Sequence, residues 1–539
     1  MAVVCVDAGT TMIKAVGYDD QGTETVVLRE ATQVSRPAQG WAEQGMAAVW
    51  GAVVDTVRGV VHQLEEGGHS VDFLAFTAQG DGCWLVDSGG RPTGPAILWN
   101  DGRAAQTVQE WDRAGVLEQA FRINGSLTNS GQPNAILTWL RANDPARLDT
   151  SAAALTCGGW IFSRLTGDIA VDESDGSAPF MDIRSRSYSP ELLELYGMPW
   201  AEPLLPRLRG DYERVGALTP EAAIELGLAA DTPVVMSSYD IASTAIGVGA
   251  VLAGQACSIL GTTLCTEVVT DDVRLGEQPV GLTVVMGVPG RYLRAFPTFA
   301  GGEVIQWACR LLGLKDPSAL GDLALGSQPG ASGLSFLPYL SPAGERAPFL
   351  DPNARGSFMG LSLDHGREHI ARAVLEGLTM VIRDCLDASQ SQPSELRVCG
   401  GGAASSVWLQ LIADITRVPT TRSADSEVGA KGAYLMGLVS TGAAPDFAAA
   451  AERSVRLGDT FRPDPTTREH YLELFDDFLA LRETASAEWL RLRDMRERAA
   501  ALAATGRDSR VSAATSADDS ALLSSALPHP DSGPNEGEL

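Results

Sequence analysis

The sequence predicts an α/β protein of two domains around a central cleft, and three observations carry that reading. The chain has 539 residues, beyond the size at which a single hydrophobic core stops growing, so it should divide and leave a cleft suited to two substrates. Its first half alternates strand-like apolar runs with helical periods, the mark of an α/β domain with a parallel or mixed sheet. An apolar strand, a Gly-Thr-Thr turn and a second apolar strand occur twice, at Gly9-Thr10-Thr11 and at Gly261-Thr262-Thr263. That recurrence suggests a duplicated unit, with chance likeness of short turns as the competing account.

The opening VCVDAGTTMIKAVGYDDQG gives a strand over Val3 to Val6, a turn permitted by Gly9, and a partner strand over Ile13 to Tyr18. Asp7 then sits at a strand end facing the turn. Backbone N–H groups and the hydroxyls of Thr10 and Thr11 suit an anion there, while the carboxylate can hold a divalent cation directly or through water. A plain hairpin with a solvated turn is the alternative. VVLREATQV follows as a strand, AAVWGAVVDTVRGVVHQL as an amphipathic helix and VDFLAFTAQG as a buried strand. In DTPVVMSSYDIASTAIGVG the opening pattern recurs in altered form: a strand, a carboxylate at Asp240 and small residues. Without further context Asp240 reads as a cap or turn residue.

In the second half, DHGREHIARAVLEGLTMVIRDCLD predicts a helix, and ELRVCGGGAASSVWLQLIADIT a strand leading through Gly400, Gly401 and Gly402 to Ala403 and a second helix. Glycines there let a ligand approach the backbone with no Cβ in the way. His365 and His369 lie four apart, but without the glutamate of a metalloprotease motif they read as a helix-start pair. From about residue 496 the composition turns to Ala, Ser, Asp, Gly and Pro, which predicts a disordered tail over 496–539.

A formal charge of −27 argues against nucleic acid or an anionic membrane as a partner. An anionic cosubstrate must be held by local donors. The eight cysteines are scattered singly through apolar stretches, which predicts reduced core thiols. No signal sequence and no membrane-length apolar run is present, so a soluble, cytoplasmic protein is expected. Neither a G-x-x-x-x-G-K-[ST] loop nor a G-x-G-x-x-G occurs in a suitable place, so a P-loop or dinucleotide fold has little support.

Two phosphate hairpins and a glycine shelf, with Asp7 beside the first, resemble the actin, hexokinase and Hsp70 superfamily of ATP-binding folds. Within it the sequence resembles the FGGY carbohydrate kinases over nearly all of residues 1 to about 490. The stretches are VDAGTT, PAQGWAEQ, TAQGDG, AILWNDGRA, SRLTGDIAVDESDGS, DTPVVMSSYD, LGTTLCTEV, FLPYLSPAGERAPFLDPNARG, AVLEGL and VCGGGAASSVWLQLIADIT, in the family's order.

The resemblance implies two ribonuclease H-like ATPase domains, 1–245 with the acceptor site and first hairpin, and 246–495 with the nucleotide site. It implies transfer of the γ-phosphoryl group of ATP, with Mg2+, to a hydroxyl of a small polyol or sugar. Asp240 would be the general base and, with Asp7, hold the metal. Gly9, Thr10, Thr11, Lys14, Gly261, Thr262, Thr263, Gly302, Gly401, Gly402 and Ala403 would surround the nucleotide. Gln79, Asp81, Trp99 and Asp101 would join Asp240 around the acceptor, carboxylates suiting hydroxyls. For Asp81 a turn role competes, and for Trp84 and Trp99 a place in the core.

Gly80-Asp81 stands where xylulose kinases carry Met-His and glycerol kinases Arg-Glu, and Ile241 replaces an asparagine usual after the catalytic aspartate. The string from Gln79 to Leu85 looks closer to erythritol kinases and next to L-xylulose kinases. The expected acceptor is therefore erythritol, then a pentulose such as L-xylulose, D-xylulose or ribulose. A sugar sensor on the same fold is the reading from another class, and a homodimer is left open.

Overall fold

In the computed structural model, residues 2–211, 213–276 and 278–522 are described, with side chains through residue 502. Two mixed sheets organise them. The first has six strands in the spatial order Val215–Ala217, Pro233–Met236, Val71–Ala78, Ala2–Ala8, Met12–Tyr18, Glu24–Ala31. The second has seven, in the order Leu282–Val285, Tyr292–Pro297, Leu264–Thr270, Gln255–Leu260, Glu395–Cys399, Thr420–Ser423, Leu457–Phe461.

The pairings repeat. Ala2–Ala8 is antiparallel to its hairpin partner and parallel to Val71–Ala78, which is parallel to Pro233–Met236. Gln255–Leu260 is likewise antiparallel to Leu264–Thr270 and parallel to Glu395–Cys399, which is parallel to Thr420–Ser423. Each sheet then ends on an antiparallel strand. Duplication is thus written in the topology. The strand before Asp240 is not a copy of the opening strand, however; it is the third parallel member of the first sheet, and the hairpin at Gly261 is the true counterpart.

The central strands carry near-continuous Val, Leu and Ala because helices cover them, as the burial of Val3, Val4, Leu74 and Val234 records. Helix Met46–Glu66 lays Val49, Val53, Val57 and Val60 on the first sheet, and helix Arg367–Ala388 buries Val374, Leu378 and Val381 in the second core. All eight cysteines are buried and unpaired. His365 and His369 sit at the start of the second helix, their Nδ1 atoms accepting from Ser362 N and Gly366 N at 2.9 Å each.

The halves meet in several places, among them a helix crossing and a sheet edge. Helix Asp240–Gly247 crosses helix Val428–Ser440 so closely that a Cβ at Gly247 would lie 1.8 Å from Val428 O, and one at Gly432 1.9 Å from Ser243 O. At the edge of the second sheet, Leu127 N donates to Gly281 O at 3.0 Å and Thr283 N to Ser126 Oγ at 3.1 Å. The last helix runs Arg468–Leu522, so helix continues beyond residue 496, where composition predicted a structureless tail. The alanines of RAAALAAT, which read as low complexity, are also the strongest helix formers. The remainder of that tail, 523–539, lies outside the described residues. Among the described residues no helix is long and apolar enough to cross a membrane.

Candidate active site

Asp7 lies in the opening strand, paired in register with Lys14 across the hairpin. Lys14 Nζ stands 3.5 Å from Asp7 Oδ2 and 3.0 Å from Glu427 Oε2, and Glu427 also pairs with Arg29. A Cβ at Gly429 would come within 3.1 Å of Asp7 Oδ2, so the start of helix Val428–Ser440 abuts this carboxylate. Burial raises the Asp7 carboxyl above its ordinary value, Lys14 opposing and Glu427 adding to the rise. Glu427 escaped the sequence reading because only folding brings it, 413 residues on, to Lys14.

The hairpin turn is braced from within. Thr10 Oγ1 donates to Gln79 Oε1 at 2.7 Å and accepts from Trp99 Nε1 at 2.9 Å, while Gln44 Nε2 donates to Thr10 O at 2.9 Å. Gln79 Nε2 in turn donates to Gln44 Oε1 at 3.0 Å, and Gln79 is buried. The Thr10 proton and the Gln79 amide are therefore committed to each other's surroundings, and Thr11 is the exposed threonine. Asp101 is committed too: its carboxylate accepts from Ala42 N at 2.6 Å and from the Arg103 backbone and guanidinium. Gln79 and Asp101 brace this end of the cleft, and neither lines the cavity described below.

At the second hairpin, Gly302 N donates to Gly261 O at 2.9 Å and Glu303 N to Thr262 O at 3.1 Å, so helix Gly302–Leu311 begins on the turn itself. A Cβ at Gly302 would lie 2.5 Å from Gly261 O, which makes this glycine a backbone-packing residue. Thr262 is exposed and Thr263 faces the cavity described below. Within the glycine shelf, a Cβ at Gly402 would strike Trp408 at 2.4 Å and Ala403 belongs to the core, but Gly401 has open space before it.

A cavity of about 270 Å³ lies between the halves. Gly80, Asp81, Trp99, Tyr239 and Asp240 reach it from the first half, Thr263, Cys265, Pro297 and Arg346 from the second. Asp240 opens its helix, and its Oδ1 accepts from Ile241 N at 2.8 Å. Burial pushes its carboxyl up to about 7, with the charges of Asp7 and Asp81 adding to the rise and the Ile241 amide opposing it. Asp81 has a left-handed backbone, φ 52°, and its carboxyl is raised to about 6 by burial against the pull of Arg346 and Gln132. Trp84 is core, packed on Trp160 at 5.5 Å. Arg346 went unremarked inside FLPYLSPAGERAPFLDPNARG; an arginine between Gly-Glu and Ala-Pro carries no local sign of where it points.

Hard oxygen donors suit Mg2+, which takes one or two carboxylates and fills its octahedron with phosphate oxygens and water. Asp7 and Asp240, both partly exposed and close enough that the charge of Asp7 raises the Asp240 carboxyl, fit that role. Among the described residues no group of three or more His, Cys, Asp or Glu is gathered as a protein-only metal site.

Two family models match the chain, the N-terminal domain of the FGGY family of carbohydrate kinases over residues 2–247 and its C-terminal domain over residues 256–441. The chain belongs to the FGGY family of carbohydrate kinases. As an FGGY kinase it is 32% identical to the erythritol kinase of Brucella abortus, over 91% of this chain and 97% of that one. It is 32% identical to the xylulose kinase of Escherichia coli over 76% of this chain and 84% of that one. The crystal structure of xylulose kinase from Rhodospirillum rubrum superposes with a TM-score of 0.83 at 28% identity, covering 91% of this chain and 100% of that chain. The FGGY fold, two mixed α/β domains of the actin and hexokinase kind about a cleft, accounts for the repeated strand order and for a cavity placed between the repeats.

Proposed function

We propose that this protein is an ATP-dependent carbohydrate kinase that moves the γ-phosphoryl group of ATP to a hydroxyl of a small polyol or sugar, erythritol first and a pentulose second. The observation that carries it is Asp240: a carboxylate in the wall of an inter-domain cavity, at a helix start, with one amide bond among the described residues and otherwise open to a hydroxyl. The likeness to an erythritol kinase along almost the whole of both chains supports the first choice of acceptor.

Mg2+ and the triphosphate supply the electrophile and neutralise charge as it moves; the rest falls to the protein. Asp240 accepts the hydroxyl proton as the oxygen attacks, a carboxyl held near neutrality by burial being poised for that exchange. The two hairpins and the open face at Gly401 position the phosphates, and Asp7 sits beside them to hold the cation. Orientation and electrostatics account for most of the rate in such a site. ATP dependence, a polar substrate and uniformly reduced buried thiols support a cytoplasmic setting.

The test is ADP release by the purified full chain with MgATP and erythritol, D-threitol, glycerol, ribitol, D- and L-xylulose, and D- and L-ribulose. One acceptor should stimulate release strongly and Asp240→Asn should abolish the stimulation. Release that ignores every acceptor would overturn the proposal.

A further inference from the structure

Arg346 enters the cavity from the second half and is pinned without a carboxylate. Its Nε donates to Pro297 O at 2.9 Å, and its guanidinium lies 4.7 Å from the Phe299 ring and 5.8 Å from that of Trp99, which belongs to the first half. Behind it Glu345 accepts from Phe299 N at 2.7 Å, Ala300 N at 3.2 Å and Arg346 N at 2.9 Å, so the loop that aims the arginine is itself fixed. Among the described residues the two terminal amino groups of Arg346 make no hydrogen bond and no ion pair within 4.0 Å. A guanidinium has five N–H donors, so most of them face the cavity unmet. Arg346 is partly exposed and its terminal nitrogens are open to water in the cavity, so a ligand oxygen can take water's place on donors already aimed there.

Across the cavity stands Asp81. Burial lowers the Arg346 guanidinium, with Cys265, Glu345 and Asp81 opposing in that order, and Arg346 in turn opposes the rise that burial gives the Asp81 carboxyl. They are too far apart to be an ion pair, yet each senses the other.

Resting on the kinase reading of this cavity, we propose that Arg346 is an acceptor-binding residue that works opposite Asp81 to select an uncharged polyhydroxy acceptor and refuse a sugar acid. A hydroxyl between them can accept from the guanidinium and donate to the carboxylate, which uses both polar faces of the group. The carboxylate of an aldonic acid can pair with Arg346 but must then share one cation with Asp81 and Asp240, a like-charge crowd that selects against it. Sequence alone offers Asp81 for hydroxyls; the rejection of acids comes from the pairing across the cleft.

Calorimetric titration of the full chain with erythritol, D-xylulose and D-gluconate tests this, with ADP titration of each variant as the check that it is folded. The wild type should bind a neutral probe and not gluconate. Arg346→Ala and Arg346→Lys should each lose roughly tenfold or more in affinity for that probe with ADP affinity unchanged, the lysine failing because a point charge cannot replace the fork. Asp81→Asn should gain gluconate affinity by roughly tenfold or more, having left Arg346 in surplus. Neutral-probe affinity that survives both arginine variants, or gluconate bound by the wild type as well as the polyol, overturns the inference. Binding is read without turnover, so a chain that loses polyol with Arg346 yet releases no ADP would sink the kinase reading and leave this one standing.

Discussion

Tyr239 lies against the backbone of Gly80, so close that a Cβ on Gly80 would fall 2.2 Å from Tyr239 Cδ2. The contact joins the end of strand Val71–Ala78 to the residue immediately before Asp240. Gly80→Ala should therefore push the ring aside and shift the proposed base. Overpacking of this sort costs about 1–3 kcal/mol, and the displacement should lower kcat at least about tenfold. Thermal unfolding and steady-state kinetics on the same variant measure both.

The pH dependence of kcat/KM should show an acidic limb, because Asp240 must lose its proton before it can accept another. Its carboxyl is raised to about 7 by burial, with the charge of Asp7 and then that of Asp81 adding to the rise. Asp81→Asn removes one negative neighbour and should move the limb to lower pH in whatever activity remains; a limb that stays in place would deny the coupling.

Stability carries the same signature with opposite benefit. A carboxyl whose folded value exceeds its unfolded one binds more protons in the fold, so Asp240 lowers stability as pH rises from its ordinary carboxylate range through about 7. Asp240→Asn should accordingly raise Tm above the wild type at pH 8, and the difference should fade toward pH 4. A scan of Tm against pH for the two proteins decides it.

Lys14 stands between Asp7 and Glu427. Lys14→Met would leave two carboxylates facing one another with the Arg29 contact to Glu427 as the remaining relief. The expected loss is about 1–3 kcal/mol at pH 8, smaller at pH 4 where the raised Asp7 carboxyl takes up a proton, together with a raised KM for MgATP. Denaturant unfolding at the two pH values and nucleotide kinetics give the result.

Gly432→Ala should be among the most damaging single methyl additions in the chain, since the new Cβ would meet the Ser243 carbonyl rather than a movable side chain. Loss of about 3 kcal/mol or more is expected, measured by denaturant unfolding.

Much of the fold was legible because its signals are local: apolar runs for strands covered on both faces, Gly-Thr-Thr for the two turns, 3.6-residue periods for the helices at Met46 and Arg367. Topology was less so, since Pro233–Met236 looks like an opening strand until its parallel partner is known. At the site, residue type misled where internal partners exist. Gln79 and Asp101 have the chemistry of ligands, and Gln44, Thr10, Ala42 and Arg103 already engage it from within the fold. Arg346 and Glu427 were invisible for the converse reason: their meaning comes from residues hundreds of positions away that folding brings to them. The last helix shows a third limit, alanine being equally at home in a disordered run and in a helix.

Two helices that touch through glycine have no layer of side chains on which to slide. Where Gly247 meets Val428 and Gly432 meets Ser243, main chain rests on main chain, and relative travel along that contact would drive backbone atoms together. Around the crossing, Val3, Cys5 and Phe73 of the first half share a core with Ala433, Tyr434 and Leu435 of the second, so the contact is a fixed point between the halves. Asp240 begins one of these helices, and the other begins against Asp7. The crossing thus sets the spacing of Asp7 and Asp240 through main-chain contact, which cannot repack as a layer of side chains could.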